Sequence, residues 1–205
     1  MLTDYILGAF ALYYGIILFS HVDKNKNRFF WSLAFISLSL SALIGGTYHG
    51  FSHLLDEFSK AILWKTTLGL TSIVSLLLLI ASVKSTVSAK IQKLIISFGV
   101  IKIFIIFPIV IFSNQFKFVV LDYTFNMLVM VVLYISGSYK YEIKSNTKFI
   151  IIGIVISFIA AGIQISKFSI HQNFNNNDLY HLIQIVGLYF FYKGAKTLID
   201  VKVNL

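Results

Sequence analysis

The chain has 205 residues, of which 58% are hydrophobic and 12% are charged, and its mean hydropathy is +0.84. A soluble domain averages about 45–50% apolar and about 25% charged residues, so this composition argues against a water-soluble globule. The single proline excludes disordered and collagen-like classes, and the lack of cysteine excludes disulfides, thiolate metal sites and a cysteine nucleophile.

Seven apolar runs follow one another along the chain. They cover about 2–20, 29–51, 61–82, 94–112, 118–136, 148–166 and 178–199. Each is long enough to cross about 30 Å of hydrocarbon as a helix, and their continuous hydrophobicity is unlike the alternation of a barrel strand. The sequence therefore predicts an all-α, polytopic membrane protein, with one seven-transmembrane-helix bundle over 1–205 as its single domain.

The connections between these runs alternate in charge. Four of them, including the C-terminal segment, together carry twelve cations: Lys24, Lys26, Arg28, Lys84, Lys90, Lys93, Lys140, Lys144, Lys148, Lys193, Lys196 and Lys202. The opposite side carries Lys60, Lys117 and Lys167. The positive-inside rule then predicts an N-terminus outside and a cytoplasmic C-terminus, in the cell membrane or an inner membrane. Membrane lipids are the expected partners of the net charge of +9, and nucleic acid is not.

Polar residues of five runs fall at one depth in this topology, near the outer face. They are Thr47, Tyr48, His49, Trp64, Lys65, Asp122, Tyr123, Asn126, Gln164, Asn177, Asp178, His181 and Gln184. A charge facing lipid at the helix centre costs about 2.5–3.5 kcal/mol, so such groups are expected to face one another across the bundle. The pattern predicts a polar cavity that opens to the outer face.

Several of these residues have two interpretations. His49 and His181 either bind zinc as neutral imidazoles or hydrogen-bond to neighbouring helices. Asp178 follows a run of asparagines, so it is either a site residue or a helix-capping residue. Lys65 either pairs with an acid or reaches outward to the interface. Lys102, the deepest charge, faces either a cavity or the cytoplasmic rim.

Two short motifs lie at corresponding places in the second and seventh runs. Gly45-x3-His49 ends the second run, and Asn177-x3-His181 begins the seventh. This arrangement resembles the seven-span hydrolase superfamily that includes the alkaline ceramidases and the adiponectin and progestin receptors. That family has Ser-x3-His and His-x3-His at these places, and its three histidines hold zinc. Here Gly45 replaces the serine and Asn177 replaces one histidine.

The resemblance implies a zinc-dependent membrane hydrolase of a lipid amide or ester. Zinc would be held by His49 and His181, with Asp122 or Asp178 as a further ligand, and its bound water would become hydroxide at neutral pH. Such a carboxylate would serve as general base, and a tyrosine would donate to the oxyanion. The candidate tyrosines are Tyr48 and Tyr123, and the candidate substrate-binding residues are Lys65, Asn126, Asn177 and Gln184.

Two further functions remain open at this point. A relative without the metal would bind a lipid-like or small-molecule ligand without catalysis. A small transporter that uses Lys102 with the outer acids is less favoured, because the sequence has no visible repeat.

Overall fold

The structure, a computed structural model, describes residues 1–22, 25–141, 144–166, 168–171 and 174–201, without the side chains of 140, 141 and 144–146. Three cations that were used to predict the orientation lie outside the described residues, namely Lys24, Lys167 and Lys202. The side chains of Lys140 and Lys144 also lie outside them.

The described residues form seven α-helices, as the apolar runs predict. They are α1 Leu2–Phe19, α2 Lys26–Phe51, α3 Glu57–Thr86, α4 Ala89–Ser113, α5 Phe116–Tyr141, α6 Lys144–Ser166 and α7 Asn176–Ala195, with one 3-10 turn at Ser52–Leu54. The all-α prediction is confirmed. Six of these helices, α1 to α6, are long and apolar enough to cross a membrane.

The helix α7 is more polar than the others for a structural reason. Its first half carries Asp178, His181 and Gln184, and the last two of these are buried within the bundle. A helix whose polar side is covered by neighbouring helices has a low mean hydropathy while its outer side remains apolar. Val186 and Tyr189, for example, are exposed on α7.

The predicted seventh run extends to residue 199, but α7 ends at Ala195. The following segment turns back over the end of the bundle. The carboxylate of Asp200 accepts hydrogen bonds from the backbone N–H of Lys26 (2.7 Å) and Asn27 (2.8 Å), and Val201 N–H donates to Lys84 O (3.0 Å). Asp200 therefore satisfies backbone donors at the start of α2 and ties the segment after α7 to that helix.

Successive helices run in alternating directions, so their ends gather into two groups. At the amino end of the bundle, where α1 begins, Thr3 bonds to Asp178 at the start of α7. Trp64 Nε1, at the start of α3, donates there to Asn114 O at the end of α4 (3.1 Å). The opposite end, where α7 ends, is called the carboxyl end below.

The aromatic core lies toward the carboxyl end. Trp31 is fully buried, with its ring centroid 5.7 Å from that of Phe191 and 6.0 Å from that of Phe35. The outside of the bundle is covered by large exposed apolar side chains, such as Phe98, Phe104 and Phe112 on the peripheral helix α4. The amino half is packed differently, because it contains a cavity.

Candidate functional site

A cavity of about 510 Å³ lies in the amino half of the bundle. Its walls come from α1, α2, α3, α5, α6 and α7, and most of its lining is apolar, with Leu7, Leu38, Val119, Met127 and Phe158 among the residues that form it. The size and the apolar lining are typical of a site for a small organic ligand.

The cavity reaches the surface of the bundle between α5 and α6. Leu121 on α5 and Ile165 on α6 both line it, yet these side chains are 63% and 72% exposed. The mouth is therefore on the side of the bundle and is bordered by these apolar residues, with the exposed Lys117 of α5 also in the lining. A molecule that enters here contacts exposed apolar side chains, like those that cover the outside of the helices.

Polar groups in the cavity wall belong mainly to α5, α6 and α7. Tyr123, Tyr180 and Gln184 line the cavity, and Gln184 Nε2 donates a hydrogen bond to Ser157 Oγ (3.0 Å). The structure thus brings together three residues of the predicted polar set, Tyr123, Gln164 and Gln184. The sequence analysis missed Tyr180, whose position next to His181 was the available signal.

A network of polar side chains joins α1 to α7 just beyond the cavity. Thr3 Oγ1 donates to Asp178 Oδ1 (2.7 Å) and lies 3.2 Å from His181 Nδ1, and His181 Nε2 is 3.5 Å from Asp4 Oδ1. The amino group of Met1 lies 3.0 Å from Asp4 Oδ2. Thr3, Asp4, Asp178 and His181 are called the α1–α7 network below.

Asp4 and Thr3 were not predicted as site residues, although a signal was present. Asp4 is a carboxylate in the first turn of an apolar run, and the alternating topology places that turn at the same end as His181. Asp4 fits there because α2 presents Gly46 to it: a Cβ added to Gly46 would lie 2.8 Å from Asp4 Cβ.

His49 lies at the edge of this region and not within the hydrogen-bonded network. Asp4 is close enough for electrostatic interaction with both His49 and His181. His49 is exposed, and its ring packs against Trp64 (centroids 6.0 Å apart) and Tyr48 (5.5 Å). Tyr48 in turn packs on Trp64 at 5.1 Å, so the expected oxyanion donor lies in an aromatic cluster.

The donor set expected for zinc is not assembled by the described residues. Within the described ranges, no three His, Cys, Asp or Glu side chains are placed to hold one metal ion. What His49 and His181 have in common is that both lie near Asp4. We therefore assign no chemical step to a metal at this site, and zinc binding stays a prediction.

Asp122 and Asn126 lie in a different network from His181, which corrects the expectation of one shared pocket. Lys102 Nζ on α4 is 2.6 Å from Asp122 Oδ1 and donates to Asn126 Oδ1 (2.7 Å). Asn126 Nδ2 donates to Ser75 Oγ (2.6 Å) and Ser75 O (3.1 Å) on α3. Lys102 thus faces the bundle and not the rim. Ser75, Lys102, Asp122 and Asn126 are called the Lys102 network below.

The remaining candidates have structural partners at the amino end. Asp178 forms a capping box with Asn175, since Asp178 Oδ2 accepts from Asn175 N–H (3.1 Å) and Asn175 Oδ1 accepts from Asp178 N–H (3.2 Å). This geometry matches the interpretation of Asp178 as a helix-capping residue. Asn177 Oδ1 accepts from Gln164 Nε2 (3.2 Å), which links α6 to α7. Lys65 is half-buried and pairs with no described acid.

A comparison with protein families places these features in a wider context. The model of a family of unknown function, DUF6962, matches residues 1–200. The chain belongs to the DUF6962 family. The match includes all seven helices, so the cavity and both networks of this DUF6962 protein lie within the extent of the family. No curated protein and no solved structure matches the chain.

Proposed function

We propose that this DUF6962 protein is a multi-pass membrane protein that binds a lipid-like, amphipathic molecule in the cavity of its amino half. The observation that carries the proposal is the mainly apolar cavity with its mouth between α5 and α6. Burial of an aliphatic chain contributes about 25 cal/mol per Å² of apolar surface. The Tyr123 and Tyr180 hydroxyls and the Gln184 amide would orient the polar group of the ligand.

In this proposal all seven helices cross the membrane and the carboxyl end is cytoplasmic. Among the described residues, the connections and helix ends at the carboxyl end carry Lys26, Arg28, Lys84, Lys90, Lys93, Lys148, Lys193 and Lys196. The amino end carries Lys60, Lys65 and Lys117. This asymmetry supports an N-terminus outside, and it makes the mouth of the cavity face lipid in the outer half of the bilayer.

The orientation is testable because the chain has no native cysteine. We expect an impermeant maleimide to label His53→Cys, between α2 and α3, in intact cells. It should label Lys90→Cys, in the first turn of α4 at the carboxyl end, only after permeabilisation. The reverse pattern would refute the orientation, and labelling of both positions in intact cells would refute seven crossings.

Ligand binding is testable with a defined probe, 1-monoolein, added to the purified protein in detergent. We expect it to raise the unfolding temperature of the wild type, because a ligand that binds only the folded state stabilises it. Ala161→Phe should abolish the rise by filling the cavity. Ile159→Phe, on the exposed side of the same helix, is the matched control and should keep it. An equal rise in both variants would contradict binding in the cavity.

A hydrolase is the second candidate, and the α1–α7 network favours it. The Thr3 hydroxyl, the His181 imidazole and the Asp4 carboxylate follow one another at 3.2 and 3.5 Å. They would act as nucleophile, base and orienting acid if the Thr3 hydroxyl turned its proton from Asp178 Oδ1 to His181 Nδ1. Leu7, one turn beyond Thr3 on α1, lines the cavity. An ester bound in the cavity would therefore have to extend one helical turn to reach Thr3.

The two functions differ in turnover. If the protein is a hydrolase, oleate is released from monoolein, and Thr3→Val abolishes the release while binding remains. Stabilisation by monoolein without release of oleate favours the binding protein. Elemental analysis of the same preparation tests the zinc version, which requires stoichiometric zinc in the wild type and its loss in His181→Ala.

A further inference from the structure

Two lysines meet at one aromatic ring at the carboxyl end of α6 and α7. The rings of Phe149 and Phe190 stack across the two helices, with centroids 6.5 Å apart and an interplanar angle of 26°. Lys193 Nζ lies 4.5 Å and Lys148 Nζ lies 5.2 Å from the centroid of Phe149. Lys148, Phe149, Phe190 and Lys193 are called the dilysine platform below.

The two ammonium groups of the platform lack a counter-ion among the described residues. Both are within about 5 Å of one ring centroid, so they are about 10 Å apart at most and repel each other. The ring faces attract the ammonium groups but accept no ordinary hydrogen bond from them. The described acid at this end, Asp200, is engaged with the backbone of α2, and neither lysine is in an ion pair with a described residue.

An exposed apolar stripe continues from each lysine toward the middle of the bundle. On α6, Ile152 and Val155 follow Lys148 at the spacing of one helix face. On α7, Tyr189 and Val186 precede Lys193 at the same spacing. These four side chains are between 37% and 50% exposed. The two stripes lie on adjacent helices and form a shallow apolar surface with a cationic end.

We propose that the dilysine platform binds the phosphate group of an anionic phospholipid, whose acyl chain lies along the apolar stripes of α6 and α7. The proposal rests on the proposed insertion of the helices into a membrane. A phosphate beside the ring is attracted by both ammonium groups, hydrogen-bonds to the one it contacts, and offsets their repulsion. Pairs of cations between helices at the cytoplasmic face are suited to anionic headgroups, and each Lys near such a surface strengthens the attraction about fivefold. This site is separate from the cavity, which lies in the amino half.

The test compares two double variants that remove the same charge from the same rim. The wild type, Lys148→Gln/Lys193→Gln and Lys90→Gln/Lys93→Gln are purified in uncharged detergent and titrated with dioleoylphosphatidylglycerol, with dioleoylphosphatidylcholine as the neutral lipid. The unfolding temperature is measured at each mole fraction. Lys90 and Lys93 are exposed on α4 and serve as the matched control.

We expect the anionic lipid to stabilise the wild type and the α4 variant with the same saturating midpoint. The platform variant should need at least about tenfold more lipid, since two contacts that each strengthen binding about fivefold are lost. Each single variant, Lys148→Gln or Lys193→Gln, should be intermediate. These single exposed changes keep the test valid if the double variant does not fold.

Three outcomes would overturn the proposal. Equal stabilisation by both lipids would show that the headgroup charge does not matter. Equal weakening in the two double variants would show a diffuse attraction to the whole rim. Stabilisation of the wild type by inorganic phosphate at the concentration of the lipid phosphate would show an anion site that does not require a lipid. A failure of monoolein to bind in the cavity would not affect any of these results.

Discussion

The α1–α7 network and the Lys102 network both bury carboxylates between helices, but they do so in different ways. Asp122 in the Lys102 network has a full cationic partner at 2.6 Å. In the α1–α7 network, Asp178 faces the Thr3 hydroxyl, and Asp4 lies between the Met1 amino group (3.0 Å) and the His181 imidazole (3.5 Å). A buried ion pair is costly to break, whereas a hydroxyl and an imidazole can exchange protons and hydrogen bonds at small cost. The first arrangement is suited to holding a helix, and the second to chemistry.

The position of each network in the bundle agrees with this distinction. Lys102 belongs to α4, which buries the smallest share of residues among the six apolar helices. The ion pair with Asp122 therefore attaches α4 to the bundle, where apolar packing of α4 is sparse. The α1–α7 network lies beside the cavity, because Tyr180 and Gln184 on the same turns as His181 line it. Three predictions test the comparison, and a fourth concerns a carboxylate outside both networks.

The largest effect is expected from Lys102→Met, which leaves the Asp122 carboxylate buried without its cation. Loss of one member of a buried pair costs about 3–5 kcal/mol, so the free energy of unfolding in detergent should fall by about that amount. Lys93→Met, at an exposed position of the same helix, is the control. Lys102→Met/Asp122→Leu should recover most of the loss. If Lys102→Met is as stable as its control, the ion pair does not hold α4.

A smaller loss is expected from Gly46→Ala, which pushes α1 away from α2. The new Cβ would lie 2.8 Å from Asp4 Cβ, and such overpacking costs about 1–3 kcal/mol. Gly162→Ala in α6 is the matched change, since a Cβ there meets nothing within 4 Å. It should stabilise the helix by about 0.5–1 kcal/mol. Thermal unfolding of both variants measures the contrast, and a loss of equal size in both would refute the close approach at Gly46.

Thr3→Val should cost about 1 kcal/mol, because it removes the hydroxyl that donates to Asp178 and leaves that carboxylate with one partner fewer. Thr3→Ser keeps the hydroxyl and should retain most of the stability. Denaturant unfolding of the three proteins measures the difference. Equal stability of the valine and serine variants would mean that the hydrogen bond between α1 and α7 contributes nothing to folding.

The smallest effect concerns Asp56, an exposed carboxylate outside both networks. Hydrogen bonds from Ser59 N–H and Ser59 Oγ, each 2.8 Å, hold the pKa of Asp56 below its usual value of 3.8. Because the pKa is lower in the folded protein, this stabilisation is complete above the usual value and is lost as the pH falls through the folded-state pKa. Asp56→Asn should remove this part of the pH dependence in unfolding measured between pH 2 and pH 6 (roughly two units either side of the usual pKa). An unchanged pH profile would contradict the assignment.

The sequence predicted which segments form helices better than it predicted which side chains meet across two helices. The seven apolar runs correspond to α1–α7, because hydrophobicity and length are properties of one segment and require no partner. Asp122 and Asn126 are four residues apart, and this spacing alone places them on one helix face. Their partner did not follow from spacing, because Lys102 lies on another helix and spacing within one helix says nothing about which helix packs beside it.

The candidate site was predicted in part for the same reason. Tyr123 and Gln184 line the cavity, and Asp178 caps α7, which was one of its two predicted interpretations. Thr3 and Asp4 were missed because the polar cavity was predicted from residues of five other runs, and the first run was left out.

The sequence by itself determined that this protein is built from seven helices, since an apolar segment of this length satisfies its backbone hydrogen bonds within itself as a helix. It also determined which polar groups lie at the same end of the bundle, because helices that alternate in direction place every second connection at the same end. The tertiary structure decided how those groups divide between the cavity, the α1–α7 network and the Lys102 network. That division depends on the rotation of each helix and on close approaches such as the one at Gly46, which are settled by side-chain packing between helices.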